Sequence, residues 1–264
     1  MDFVTKFEST GAKLRIGYMH AADRGVLDAA VAEITGKLVT KPPIELYGKV
    51  RYQRRSVGFF ADPAETYGYF YSRVVAKSQP PGPAIAALLK YVNDKFEASF
   101  NGVLVHHYEN EDDYASDDVV SDDGLDPRVG VVAISAGATR TMEFKRRADA
   151  PEGTAHFKYG NYGIPLDHAS VMHMAGPNFQ KAYTHGVPPP KKAGYGPRWS
   201  FTFRRHTGEG EEKKIAAAEE TMQRIAERIA EVAKYDGSAE PAAKRAKKAG
   251  AKRGASAGAA TIPT

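Results

Sequence analysis

The chain has 264 residues, 42% of them apolar and none of them cysteine, which supports one sizeable domain with an extension and excludes disulfide scaffolds, zinc knuckles and thiol catalysis. The net charge of +5 is not a property of the whole chain. Lys244, Arg245, Lys247, Lys248, Lys252 and Arg253 fall in an acid-free stretch, 241–264, and without them 31 basic residues face 32 acidic ones, so attraction to nucleic acid must come from that stretch or from local clusters.

From the N-terminus, residues 13–19 alternate as a strand, after a start with no signal-peptide h-region. Asp23 stands where it would cap a helix whose stripe is Val26, Leu27, Ala30, Val31 and Ile34. Residues 45–72 interleave aromatic, polar and basic side chains, which predicts strands around a loop at 62–66. Pro80, Pro81, Gly82 and Pro83 close that section, and Ile85, Leu88, Leu89, Val92 and Phe96 space a helix over 85–98. Strand-like runs follow at 102–108, 130–135, 140–145, 164–174 and 199–203. Helices followed by short strands predict an α+β domain built on a β-barrel or sandwich.

Beyond that domain, Ile215, Met222, Ile225, Ile229 and Val232 share one face of a helix over 211–234, and Glu209, Glu211 and Glu212 suit the positive end of its dipole. After Gly237 no aromatic residue occurs, and Ala, Gly, Lys, Arg and Pro dominate, a disordered composition. The expected division is a domain over 1–208, an amphipathic helix over 209–236 and a disordered basic tail over 237–264. No apolar run approaches the roughly 20 residues of a membrane span. The expectation is an intracellular protein without a membrane partner, whose Lys/Arg clusters would also serve as a nuclear-localisation signal.

Three stretches carry candidate chemistry. Residues 109–126 hold Glu109, Glu111, Asp112, Asp113, Asp117, Asp118, Asp122, Asp123 and Asp126 with no base. Such a run reads as a solvated loop or as a hard-cation loop, though without EF-hand spacing. Arg54 and Arg55 lie among Tyr52, Phe59, Phe60, Tyr67, Tyr69 and Tyr71. Arginines for phosphates and aromatics for stacking make a nucleic-acid surface, or ordinary aromatic sheet packing. Lys145, Arg146 and Arg147 end a predicted strand, where they would touch a nucleic-acid backbone or stand as an exposed strand end.

Between Tyr47 and Arg204 the segments RYQRRSVGFFAD with YGYFYS, FNGVLVHHYEN, SDDGLDP, GVVAISAGATRTMEFKRR, IPLDHASVMHM, AYTHGVP and PRWSFTFR occur in that order. Together they resemble the AlkB-like Fe(II)/2-oxoglutarate dioxygenases, and the Ser-x-Gly-Ala-x-Arg strand pair is the most specific match. The resemblance implies a double-stranded β-helix (jelly-roll) core with flanking N-terminal and C-terminal helices. It implies Fe(II) with 2-oxoglutarate as co-substrate, and oxidative dealkylation of bases in a DNA or RNA partner. Asp122 and His185, the latter in a polar loop, would ligate the metal. Arg198 and Tyr108 would grip the distal carboxylate of 2-oxoglutarate, and Arg204 would orient its iron-bound end. Arg54, Arg55, Phe59 and Tyr69 would meet the substrate.

The chain departs from the family pattern at three positions. A facial triad needs a second His, two residues before Asp122, where Val120 stands. Matching without a gap instead puts Asp118 at the His position and Val120 at the carboxylate position. The family's Asn before Tyr108 is His106, and the Asn of the closing strand is Ser200. His106 shares a strand face with Tyr108, toward the co-substrate, and is the candidate to lend the missing nitrogen. The alternative implied function is a catalytically inactive family member that binds nucleic acid or serves structurally.

Overall fold

A β-hairpin opens the chain: β1 (Val4–Ser9) and β2 (Ala12–Tyr18) pair antiparallel. The computed structural model describes residues 1–118, 129–191, 194–208 and 210–237; for 116–118 and 235–237 it describes the backbone alone. A 3-10 turn at Ala21–Asp23 leads into α1 (Arg24–Ile34), which buries Leu27, Ala30 and Ile34. Asp23 does occupy the N-cap position, but its side chain makes no capping hydrogen bond. The carboxylate instead accepts the Tyr91 hydroxyl at 3.0 Å, which ties the two helices together.

Next come β3 (Pro43–Leu46) and β4 (Lys49–Tyr52), a separate two-stranded hairpin. Its tip is Tyr47–Gly48, both left-handed (φ 49° and 69°), the primed turn that suits a two-residue loop. Then follow β5 (Ser56–Ala61), β6 (Gly68–Tyr71), β7 (Val74–Gln79) and α2 (Pro83–Phe96). Pro83 takes the first turn of α2, and the Glu33 carboxylate of α1 accepts the Ala84 N–H at 2.7 Å, so the first helix caps the second.

The remaining strands are β8 (Gly102–Tyr108), β9 (Ala115–Asp118), β10 (Val131–Gly137), β11 (Arg140–Arg146), β12 (Asn161–Leu166) and β13 (Ser170–Ala175). A single turn, α3 (Phe179–Ala182), precedes β14 (Tyr183–Val187) and β15 (Arg198–Arg204), and α4 (Glu211–Gly237) closes the series. The major sheet has the order β1-β2-β13-β10-β15-β8-β5-β7-β6, and the smaller one β12-β11-β14-β9.

These two sheets form a jelly-roll core with flanking helices. Strand alternation divides the major sheet's side chains between two cores. Val103, Val105, Val132, Ile134, Val171, Phe201 and Phe203 face α1 and α2. Leu14, Ile16, Tyr108, Val131, Met172 and Met174 meet Met142, Phe144, Ile164 and Tyr183 between the sheets. Each fully buried large apolar side chain contributes about 1.5–3 kcal/mol.

Several elements differ from their sequence patterns. The apolar run 164–174 is two strands, β12 and β13, in different sheets; the chain turns at Ala169 (φ 62°) and crosses from one layer to the other. The edge strand β1 was not legible, because only Phe7 and Ser9 of its six residues are part-buried. His185 lies within β14 rather than in a loop. The acidic run is not uniformly solvated: Asp113 is 1% exposed, 2.9 Å from Lys41 Nζ, and accepts the Glu109 N–H.

The chain divides into two compact units, Met1–Met222 and Gln223–Thr264. In the first, Glu211 on the opening turn of α4 accepts hydrogen bonds from the Thr66 hydroxyl (2.6 Å) and the Tyr67 N–H (3.1 Å). Among the described residues, no helix is long and apolar enough to cross a membrane. The expected tail from 238 onward lies outside the described residues.

Candidate active site

Strands β8 and β15 run antiparallel with Arg198 opposite Tyr108, Ser200 opposite His106, Thr202 opposite Leu104 and Arg204 opposite Gly102. The other alternates, Trp199, Phe201 and Phe203, belong to the helix-side core. The period of two therefore sends the chemistry-bearing set to the inner face. Gly137 ends β10 beside the start of β15 at φ 84°, where a Cβ would meet the Pro197 carbonyl oxygen at 2.3 Å. That close approach seats Ser135 against Arg198.

A cavity of about 60 Å3, or about 550 Å3 with its open mouth, lies between the sheets. Its polar wall is Arg55, Tyr69, His106, Tyr108, His185, Ser200, Thr202 and Arg204, and its apolar wall includes Met142, Met172 and Met174. Among the described residues, no carboxylate lines it.

Its charge is concentrated, with no carboxylate of the described residues in the wall. Arg198 is fully buried, donates to Ser135 Oγ at 2.9 Å and lies 5.2 Å over the Tyr108 ring. Arg204 is 3% exposed and 5.2 Å over the Tyr69 ring. In both arginines Nε and Nη1 have no hydrogen-bond partner. Burying an ion without a counter-charge costs several kcal/mol, and among the described residues no carboxylate lines the cavity to offset it. Burial, and then Arg55, Arg198 and Arg204, hold the His106 imidazole well below its ordinary pKa of 6.5. It is neutral at physiological pH, able to donate from one nitrogen and accept at the other.

Arg140, 2% exposed, bonds the carbonyls of Asn110, Asp113 and Pro188, and its guanidinium lies over the rings of Tyr108 and Tyr195. It fastens the entry to β9 and the exit of β14. The ladder between those strands sets His185 opposite Asp118.

Residues 27–204 match the family model of the 2OG-Fe(II) oxygenase superfamily. The chain belongs to that superfamily. Its relatives place it on the AlkB-like side. It is 32% identical over 141 residues to human alpha-ketoglutarate-dependent dioxygenase alkB homolog 3, covering 52% of this chain and 47% of that protein. The Bos taurus protein of the same name is 33% identical over 142 residues, with the same coverage. The chain thus spans about half the length of the curated relatives it matches. A solved structure titled "The structure of OsALKBH1" aligns with 77% of this chain and 100% of its own, at 16% identity and a TM-score of 0.43.

The family's two non-protein groups fit unequally. A dicarboxylate suits the unpaired N–H groups of Arg198 and Arg204 and the acid-free wall. For a metal, His106 and His185 face the cavity, but no group of three or more metal-ligating side chains exists among the described residues. Val120 and Asp122 lie outside those residues.

Of the residues singled out from sequence, Arg55, Tyr69, His106, Tyr108, His185 and Arg204 share one cavity. Arg198 stands behind Tyr108, and Arg54 is exposed. Phe59 is 1% exposed in a satellite core with Val57 and Leu104, so it does not reach the wall. Sequence reasoning passed over Ser135 and the methionine wall. A polar residue at an inward position of an otherwise apolar strand was the available signal for Ser135.

Proposed function

We propose that this chain is an AlkB-like, Fe(II)- and 2-oxoglutarate-dependent dioxygenase acting on alkylated nucleic-acid bases. The observation that carries the reading is the pair of buried guanidinium groups of Arg198 and Arg204, each with Nε and Nη1 unpartnered, beside a cavity that no acid of the described residues lines. Arg198 with Tyr108 would hold the distal carboxylate of 2-oxoglutarate by a forked contact, and Arg204 would orient the other end. Neutral His106 would donate a hydrogen bond to the same ligand without adding charge. His185 and Asp122 would be ligands of Fe(II), which when bound supplies the activation of dioxygen. The methionine wall keeps water from the reacting end.

Support for a nucleic-acid substrate is the exposed β3–β4 hairpin, where Tyr47 is fully exposed and Lys49, Arg51 and Tyr52 are exposed beside it, with Arg54 just beyond. Basic side chains interleaved with aromatics suit phosphates and unstacked bases. A second reading is a family member that binds nucleic acid without turnover. It is favoured by the sequence between β9 and β10, where no histidine occurs.

The test is succinate formation from 2-oxoglutarate by the purified chain with Fe(II) and oxygen, with and without a single-stranded oligonucleotide bearing N-methylated bases. Fe(II)-dependent succinate, raised by the oligonucleotide and accompanied by formaldehyde, is the expected result. Oligonucleotide binding with no succinate would establish the second reading.

A further inference from the structure

Besides Arg204, a second guanidinium lines the cavity, and a dicarboxylate matched to Arg198 and Arg204 leaves it over. Arg55 enters from the segment between β4 and β5 and lines the wall with Arg204 and His106. Its Nε is buried and has no hydrogen-bond partner. Its neighbour Arg54 faces solvent, and only Arg55 of the pair is turned inward.

Arg55 and Arg204 line the wall beside His106, Arg198 lies against the Tyr108 ring, and no acid of the described residues lines the wall. Two carboxylates match Arg198 and Arg204. The remaining cation keeps a desolvated N–H group with nothing to accept it, which is unfavourable until an anion arrives.

We propose that the cavity binds a third oxyanion at Arg55, beyond the two carboxylates of the co-substrate. The group comes either from a tricarboxylic acid that takes the place of the dicarboxylate or from a phosphate that enters beside it. Both present paired oxygens to the guanidinium fork. The assignment rests on the co-substrate reading above, since it takes Arg198 and Arg204 as already engaged.

The experiment is calorimetric titration of the full-length protein, as wild type, Arg55→Gln and Arg55→Lys. The ligands are glutarate, tricarballylate, and inorganic phosphate added at saturating glutarate. In the wild type, tricarballylate binds about tenfold or more tighter than glutarate, or phosphate binds on top of glutarate. The first gain identifies a free tricarboxylate as the source, and the second a phosphate. Arg55→Gln removes the gain, weakening tricarballylate or phosphate more than glutarate; Arg55→Lys keeps part of it, because a point charge remains. The variants' melting temperatures confirm folding. Absence of both gains overturns the proposal while leaving the co-substrate reading intact. So does an Arg55→Gln variant that weakens glutarate as much as the third-anion ligand. If glutarate fails to bind while phosphate alone binds in an Arg55-dependent way, the co-substrate reading falls and the Arg55 site stands.

Discussion

Arg204 and the buried histidines show how single residues here trade stability for chemistry. Arg204 is a 3% exposed guanidinium whose Nε and Nη1 have no hydrogen-bond partner, so its burial is unfavourable by itself. Arg204→Met should therefore raise the stability of the ligand-free chain, because an apolar side chain in its place carries no charge-desolvation cost. It should also weaken 2-oxoglutarate binding by about tenfold or more through loss of the charged fork. Calorimetric melting and titration of the same variant check both; a destabilised variant with unchanged affinity would remove Arg204 from the site.

His173 is held down to a pKa of about 4 by burial and then by Arg15, and His206 to about 3 by burial and then by Arg204, Lys214 and Arg205. Both are neutral when folded and protonate more readily when unfolded, near 6.5. The unfolded chain therefore binds more protons on acidification, and stability falls as pH drops below about 6.5. The loss continues until each folded-state pKa is passed. Between pH 7 and 5 each histidine should cost about 2 kcal/mol. Urea unfolding of His173→Gln and His206→Gln should show a flatter pH profile over that window than wild type.

At the scale of elements, the β9–β14 ladder bears on which residue stands at the metal-ligand position. The backbone register sets Asp118 opposite His185, and Asp118 is the residue that the gapless match puts at the His position. If that register governs the site, the double variant Asp118→His, Val120→Asp rebuilds the His-x-Asp pair. It should raise Fe(II) affinity and succinate formation above both wild type and Val120→His. Metal titration and succinate assay rank the three proteins, and a larger gain from Val120→His would assign the site to the gapped match with Asp122. Arg140 matters at this scale too, since its three carbonyl contacts join the approach to β9 to the end of β14.

For the whole molecule, charge is segregated along the chain. Six basic residues lie in 241–264, and the rest carries 31 basic against 32 acidic residues. Deleting 241–264 should weaken nonspecific nucleic-acid binding and reduce its log–log salt slope by up to about five, if all six contact phosphate. Fluorescence anisotropy with DNA and RNA across a salt series measures it. Unchanged affinity at low salt would shift the contact to the exposed β3–β4 hairpin and Arg54. The melting temperature should move little, because a segment without aromatics or a long apolar run has little to bury.

Periodicity was enough to reach an α+β class built on a barrel or sandwich, and the jelly-roll core followed from the resemblance carried by the ordered segments. Alternation in 102–108, 131–137 and 199–203 reports which face is buried, and burial on two faces is what builds the layers. The inward set His106, Tyr108, Ser200 and Arg204 was legible for the same reason. Other facts depended on contacts between residues far apart in sequence. Alternation alone could not say that Arg55 points in while Arg54 points out, that Phe59 is core, or that Ala169 carries the chain from one sheet to the other. Nor could it say that Asp118 stands across from His185, because register is set by pairing between strands. The unpaired state of Arg198 and Arg204 belongs to the same class. A sequence lists charges, but only the packed sheets determine which of them are sealed from water and from one another's counter-ions.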